Sequence, residues 1–397
     1  MKKDTLCVMP WIHINSEPDG RVIPCCVTTD KNYVLGNLKT DSIDSIWNSS
    51  NMKQLRVEMI SGNEPSICKP CFNLDRVNDS SSFRSFQNNR FSNNLKNIPN
   101  ITLADGTCTE IKLKYWDFRF SNLCNFKCRS CGPNLSSSWV PDATKLGQRI
   151  NEGKLSTTVI NFDLLKEQLN HVEEIYFAGG EPLLMPEHWA ILDMLIEHKK
   201  FDVNIRYNTN CSTLTYGKKD IFDYWSKWNP GKIRVGASID EIGNRAELIR
   251  SGTAWQKVED NLKKLSNCEF LNSHIYITVS VFNVFRLPEI ITYLSENKII
   301  KNGKFFLNIL VHPDYYQVQI LPENVKQDII KKIILFVEIY SKKYSIDLSW
   351  HFKYLFSKLS IPNNQDQIDK FKDITEKLDK IRNENTYETI PELKVLL

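Results

Sequence analysis

The chain has 397 residues, enough for two or three cores, and its 41% hydrophobic and 25% charged residues are those of an ordinary folded protein. A formal net charge of +4 from 51 basic and 47 acidic residues gives no argument for nucleic acid or an anionic membrane surface. The N-terminus carries Lys2 and Lys3 but no apolar run, and no stretch approaches about 18 uninterrupted apolar residues, so the expected location is cytoplasmic, with no membrane partner.

Residues 1–77 alternate short strand-like runs with turn signals, such as Ser16 to Gly20 before Arg21-Val22-Ile23. One helix is expected from Asp41 and Ser42 to Gly62, on the stripe Ile43, Ile46, Trp47, Met52, Leu55 and Met59. Cys7, Cys25, Cys26, Cys68 and Cys71 lie in the loops that flank it. From Asn78 to Asn100 Ser and Asn dominate, a composition that buries little apolar area and suits an exposed linker over 78–106. Phe83, Phe86 and Phe91 require part of that linker to pack on a neighbour.

From residue 111, strands are expected at Ile111 to Phe118, Glu174 to Ala178, Val203 to Asn208, Lys232 to Ile239, His274 to Phe282 and Lys304 to Leu310. Helical segments alternate with them at Phe162 to Leu169, Glu187 to His198, Ala254 to Leu265 and Leu287 to Ser295. Such succession predicts an α/β fold with a parallel sheet and right-handed crossovers, either open or closed into a partial barrel. Chemistry in both lies at the C-terminal ends of the strands. After about residue 313 a helical extension follows, with helices from Glu323 to Tyr340 and from Gln365 to Asn383, the second expected to be a solvated charged face.

Eleven cysteines in a chain read as cytoplasmic point to metal ligation rather than disulfides, because the cytosol keeps thiols reduced. Cys124, Cys128 and Cys131 stand at C-x3-C-x2-C spacing after the first core strand. Thiolates suit zinc or iron and sulfur. A structural zinc site needs a fourth protein ligand, and none is near in sequence. A four-iron cluster with three protein ligands keeps one iron open. Cys7, Cys25, Cys68 and Cys71 form two pairs that suit either a four-cysteine zinc site or a second cluster, and Cys26 competes with Cys25. The seven histidines, His13 among them, show no ligand spacing. Cys108, Cys211 and Cys268 are expected to pack.

The stretch CNFKCRSC at Cys124 to Cys131 resembles the cluster loop of the radical S-adenosylmethionine (radical SAM) superfamily. YFAGGEPLL at Tyr176 to Leu184, the SID at Ser238 to Asp240, and Arg250 twelve residues after Ser238 extend the resemblance over roughly residues 111 to 312. It implies a partial (β/α)6 barrel and an open iron that takes the amino and carboxylate groups of SAM. It further implies that the Gly179-Gly180-Glu181-Pro182 turn receives the methionine amino group. Asn208, Ser238 and Arg250 would hold ribose and carboxylate, while Phe126 and Leu310 border the adenine. Ser130 departs from the pattern, since many members carry an aromatic residue before the third cysteine.

The N-terminal pattern Cys7, Gly20, Cys25 and Cys68-Lys69-Pro70-Cys71 resembles the twitch subdomain, the one-cluster relative of SPASM, displaced to the N-terminal side of the barrel. The resemblance implies one auxiliary [4Fe-4S] cluster over residues 1–77, a radical SAM core over 107–312 and a helical extension over 313–397. It also implies hydrogen abstraction from a small molecule or a peptide, a net oxidation, and an electron donor such as flavodoxin or ferredoxin. The competing readings are a peptide maturase and a non-catalytic zinc or iron–sulfur redox module. No acid, base or radical-relay residue is identifiable.

Overall fold

Several short segments alternate a polar with an apolar side chain, the period of a pleated strand. The computed structural model describes residues 4–77, 82–148, 150 and 162–397. The chain divides into two units: Met1–Asn122, Glu152–Gly179 and Met185–Arg206 form the first, and Leu123–Asn151, Gly180–Leu184 and Tyr207–Leu397 the second.

In the first unit β1 (His13–Ser16) pairs antiparallel with β2 (Arg21–Ile23), and β2 with β3 (Gly36–Asn37). On its other edge β1 pairs parallel with β4 (Tyr115–Phe118), with Asn15 in register with Asp117. β4 in turn pairs parallel with β5 (Glu174–Phe177). The N-terminal segment therefore adds its strand directly to the first strand of the expected core. β4 starts later than Ile111, because Lys114 and Tyr115 are the first residues whose N–H groups reach the Ile12 carbonyl.

Two expectations for this unit change. The helix from Ser42 is two helices, Ile43–Trp47 and Ser50–Ile60, each N-capped by a serine, Ser42 and Ser49. The first four residues of the Ser/Asn-rich stretch, 78–81, lie outside the described residues; beyond them it is not an extended connector but forms the helices Phe83–Arg90 and Ser92–Ile101. Ser82 caps the first of these, accepting from Ser85 N at 3.1 Å. Its polar side chains bind backbone that local composition does not reveal, with Asn88 accepting from Val8 N at 2.8 Å and donating to the Leu6 carbonyl at 2.8 Å. Phe91 is buried, whereas Phe86 is exposed.

β6 (Asn204–Thr209) begins in the first unit and ends in the second. The second unit continues with the hairpin β7 (Thr215–Tyr216) and β8 (Lys219–Asp220), then β9 (Ile233–Ser238), β10 (Leu271–Val279) and β11 (Phe305–Ile309). β9, β10 and β11 pair parallel in that order. Amphipathic helices Trp255–Asn267 and Leu287–Glu296 connect them, the α/β alternation that the sequence predicts. The extension holds Glu323–Tyr344, Ser349–Leu359 and Gln365–Arg382, of which the middle helix is not apparent in the sequence. Among the described residues no helix is long and apolar enough to cross a membrane.

Candidate functional site

The loop from Cys124 to Cys131 is pinned at both ends within the second unit. Lys127 N and Arg129 N donate to the Ser251 and Ile249 carbonyls at 2.8 Å each. Ser136 Oγ, Ser138 Oγ and Trp139 Nε1 donate to the carbonyls of Phe126, Cys124 and Cys128 at 2.5, 2.7 and 2.7 Å. Gly252 lies against the loop at φ +103°, and a Cβ there would stand 2.7 Å from the Asn125 carbonyl oxygen. Only glycine combines that φ with so close an approach. Phe126 is buried beside it.

The sulfurs meet N–H groups. Asn210 Nδ2 lies 3.8 Å from Cys124 Sγ, Phe126 N 3.5 Å from the same sulfur, and Arg250 Nη1 3.9 Å from Cys128 Sγ. Burial pushes the Cys124 thiol up to about 11. The Cys131 thiol, hydrogen-bonded to Cys128, rises well above the ordinary range, and the same bond lowers Cys128 against its burial. Loading metal here therefore releases protons. Among the described residues no three His, Cys, Asp or Glu side chains converge on one point as a single ion requires. What the loop offers is a spaced set of three soft donors with N–H groups directed at two sulfurs, which fits an iron–sulfur cluster.

The strand-end motifs are joined to this loop. Asp240 Oδ2 accepts from Arg250 Nε at 2.9 Å and its Oδ1 from Thr278 N at 2.8 Å. Burial opposes the charge on Arg250, but Asp240 and Cys128 keep its pKa above the ordinary value. Glu181 is fully buried, and its carboxylate takes Leu183 N at 3.2 Å, Thr209 Oγ1 at 2.7 Å and Asn210 N at 2.7 Å. Burial raises it to about 7 despite those donors. Its side chain thus holds the turn in shape, leaving the backbone for a ligand. Gly179 and Gly180 have φ of +80° and +47°. Ser130, Asn208, Ser238 and Leu310 are half-buried, and Pro182 is buried.

In the first unit Cys7, Cys25, Cys68 and Cys71 line one cavity with Ile67 and Arg84. Burial raises all four thiols, Cys7 and Cys68 to about 12. Four soft donors on one largely apolar cavity fit a fully ligated cluster. Cys26 is not part of that lining. Its thiol, raised to about 11 by burial, has Asp117 and Arg119 as its strongest charged neighbours.

Three participants have roles that a sequence reading does not assign. Asn210 ties Cys124 to Glu181, and Asn283 Nδ2 donates to the Asp240 and Thr278 carbonyls at 2.7 and 2.9 Å. The third is Arg129 inside the cluster loop, fully buried, with Nη2 2.5 Å from Asp379 and 2.6 Å from Glu384. Arg382 Nε reaches Asp142 at 2.7 Å, and Lys127 the same carboxylate at 3.1 Å. The helix Gln365–Arg382, expected to be solvated, therefore turns Asp379 and Arg382 inward toward that loop. An arginine between two closely spaced cysteines is the one sequence signal that could have suggested it.

The family model described as radical SAM superfamily matches residues 118–294, and that of the SPASM iron-sulfur cluster-binding domain matches residues 7–72. A GTP 3',8-cyclase of Aliarcobacter butzleri is 27% identical over 157 residues, 39% of this chain and 43% of the relative. One of Campylobacter jejuni is 23% identical over 239 residues, 60% of this chain and 66% of the relative. Each match spans less than two thirds of the relative's length. Among solved structures, native anSMEcpe with bound AdoMet aligns at 17% identity and a TM-score of 0.41, covering 62% of this chain and 66% of that one.

Proposed function

We propose that this chain, a radical SAM enzyme with an N-terminal SPASM iron–sulfur domain, holds one four-iron cluster on Cys124, Cys128 and Cys131 and a second on Cys7, Cys25, Cys68 and Cys71. When bound, the first cluster and SAM supply a 5'-deoxyadenosyl radical, formed by reductive cleavage, that abstracts hydrogen from the substrate.

The observation that carries this reading is Arg250, whose guanidinium touches both Asp240 of the SID motif and the sulfur of Cys128. Asp240 orients it, and its remaining N–H groups suit a carboxylate beside the cluster. The Gly179-Gly180-Glu181-Pro182 turn offers backbone to an amino group, since its carboxylate is already engaged. Asn208 and Ser238 are assigned to ribose, and Phe126, Ser130 and Leu310 to the adenine side. With four protein ligands the second cluster would have no open iron, which would suit it to accept the electron given up by the substrate in a net oxidation, while a donor such as flavodoxin or ferredoxin would reduce the first. We assign the auxiliary cluster to residues 1–77, the connecting helices to the stretch up to 106, the core to 107–312 and the extension to 313–397. The named relatives act on GTP, which favours a small molecule over a peptide as substrate.

Anaerobic reconstitution should yield about eight irons per chain, and reduction with SAM should release 5'-deoxyadenosine. About four irons, unchanged by Cys7→Ser, would remove the auxiliary cluster. Absence of 5'-deoxyadenosine from fully loaded protein would remove the enzyme.

A further inference from the structure

Parallel strands buried on both faces are ordinarily apolar on both, and barrel interiors are filled with branched aliphatic side chains. One face of the first unit departs from this. β1, β4 and β5 place Ile14, Trp116, Phe118, Ile175 and Phe177 on one side, all buried. The registers Asn15 with Asp117 and Tyr115 with Glu174 put His13, Asn15, Tyr115, Asp117, Glu174 and Tyr176 together on the other. Arg206 joins them by an ion pair to Glu174 at 3.1 Å. A buried polar surface is the informative exception in a protein interior.

Part of that surface is satisfied internally. Arg119 grips Asp117 with Nε at 2.7 Å and Nη2 at 3.2 Å. Part is not. Asn15 is completely buried, its Oδ1 has no hydrogen-bond partner, and its Nδ2 reaches only the Asp117 carbonyl at 3.4 Å. Arg119 and Arg206 both lie against the ring of Tyr176, at 5.5 and 4.9 Å from its centroid, with side chains 23% and 25% exposed. Among the described residues Arg119 Nη1 and Arg206 Nε and Nη2 have no protein acceptor. A buried unsatisfied acceptor costs about 1–3 kcal/mol, so its retention calls for a donor that the protein does not supply.

We propose that this face is a binding site for a small molecule bearing an anionic oxygen group, carboxylate or phosphate, and a nearby N–H or O–H donor. The free edges of Arg119 and Arg206 take the anion, for which guanidinium forks are suited, and Asn15 Oδ1 accepts from the donor. Tyr176 holds the two guanidiniums on one ring. That this ligand is the substrate rests on the radical SAM reading above.

The test is calorimetric titration of the reconstituted full chain in two arms: GTP and inorganic pyrophosphate for phosphate, citrate and a glutamyl dipeptide for carboxylate. One arm should bind, and Arg206→Gln should weaken it about tenfold, the loss of one charge-assisted bond. Asn15→Leu should weaken the same binding while leaving the melting temperature unchanged or higher. A merely structural Asn15 predicts the reverse, a lower melting temperature with binding intact. The site is overturned if neither arm binds, or if both variants bind as the wild type does. Binding without 5'-deoxyadenosine in the wild-type protein would instead sink the enzymatic reading and leave the site standing.

Discussion

Asp240→Asn tests the link between the SID motif and the cluster loop. Asp240 is 2% exposed, and its two oxygens serve Arg250 Nε and Thr278 N. Asparagine keeps the shape, but if its oxygen stays on Thr278 its amide N–H groups face the guanidinium. The charge-assisted bond lost is worth about 1.5–3 kcal/mol, and stranding one partner of a buried pair costs about 3–5 kcal/mol. Arg250 keeps 13% of its side chain exposed, which places the expected loss at the lower end, about 3 kcal/mol. Arg250→Met should cost a similar amount, because it strands the carboxylate. The double variant removes both charges and should cost less than the two together, leaving a coupling of about 2–3 kcal/mol. Urea unfolding of the metal-free protein, followed by circular dichroism, reads all four species. Additivity within about 0.5 kcal/mol would refute the pairing as an energetic unit.

Cys25→Ser should lower the reconstituted iron content by about four per chain, whereas Cys26→Ser should leave it unchanged, because only Cys25 lines the four-thiol cavity. The reverse pattern in the iron assay would exchange the two assignments. Arg129→Met, which strands Asp379 and Glu384 at 14% and 17% exposure, should cost about 3 kcal/mol in urea unfolding. Adding Asp379→Asn and Glu384→Gln should recover most of that loss. Burial lowers His13 from 6.5 to about 4, so between those values the unfolded chain binds a proton that the folded chain refuses. The stability from His13 is therefore complete above pH 6.5 and falls by up to about 3 kcal/mol as pH drops toward 4. His13→Gln should flatten that part of the pH–stability curve, and an unchanged slope would mean that another group sets it.

The core strands were legible, and the cysteine spacing stood out, because both signals are local. Alternation sets each strand, and the C-x3-C-x2-C run, the GGEP turn and the SID end each fit within a few residues. What was not legible depends on partners far along the chain. The stretch from Asn78 to Asn100 has the composition of a linker, yet Asn88 and Arg84 are committed to the backbone of Leu6 and Val8, about 80 residues earlier. The break between the helices Ile43–Trp47 and Ser50–Ile60 holds Asn48, whose Oδ1 accepts from Arg56 and from Cys108 N. The charges on Gln365–Arg382 look solvated until Arg129 and Asp142 are placed against them. Asn283 carries no motif, and Asn210 stands out only as the last residue of the Asn208-Thr209-Asn210 strand end; the fold alone brings them to Asp240 and Cys124.

The pairing of Arg129 with Asp379 spans 250 residues, and a ribosome adding about 5–20 residues per second needs roughly 12 to 50 seconds to cover that distance. For that interval residues 124–131 have been made but the Arg129 guanidinium has neither carboxylate to pair with. The brace from Gln365–Arg382 is therefore among the last contacts of this loop that the growing chain can make.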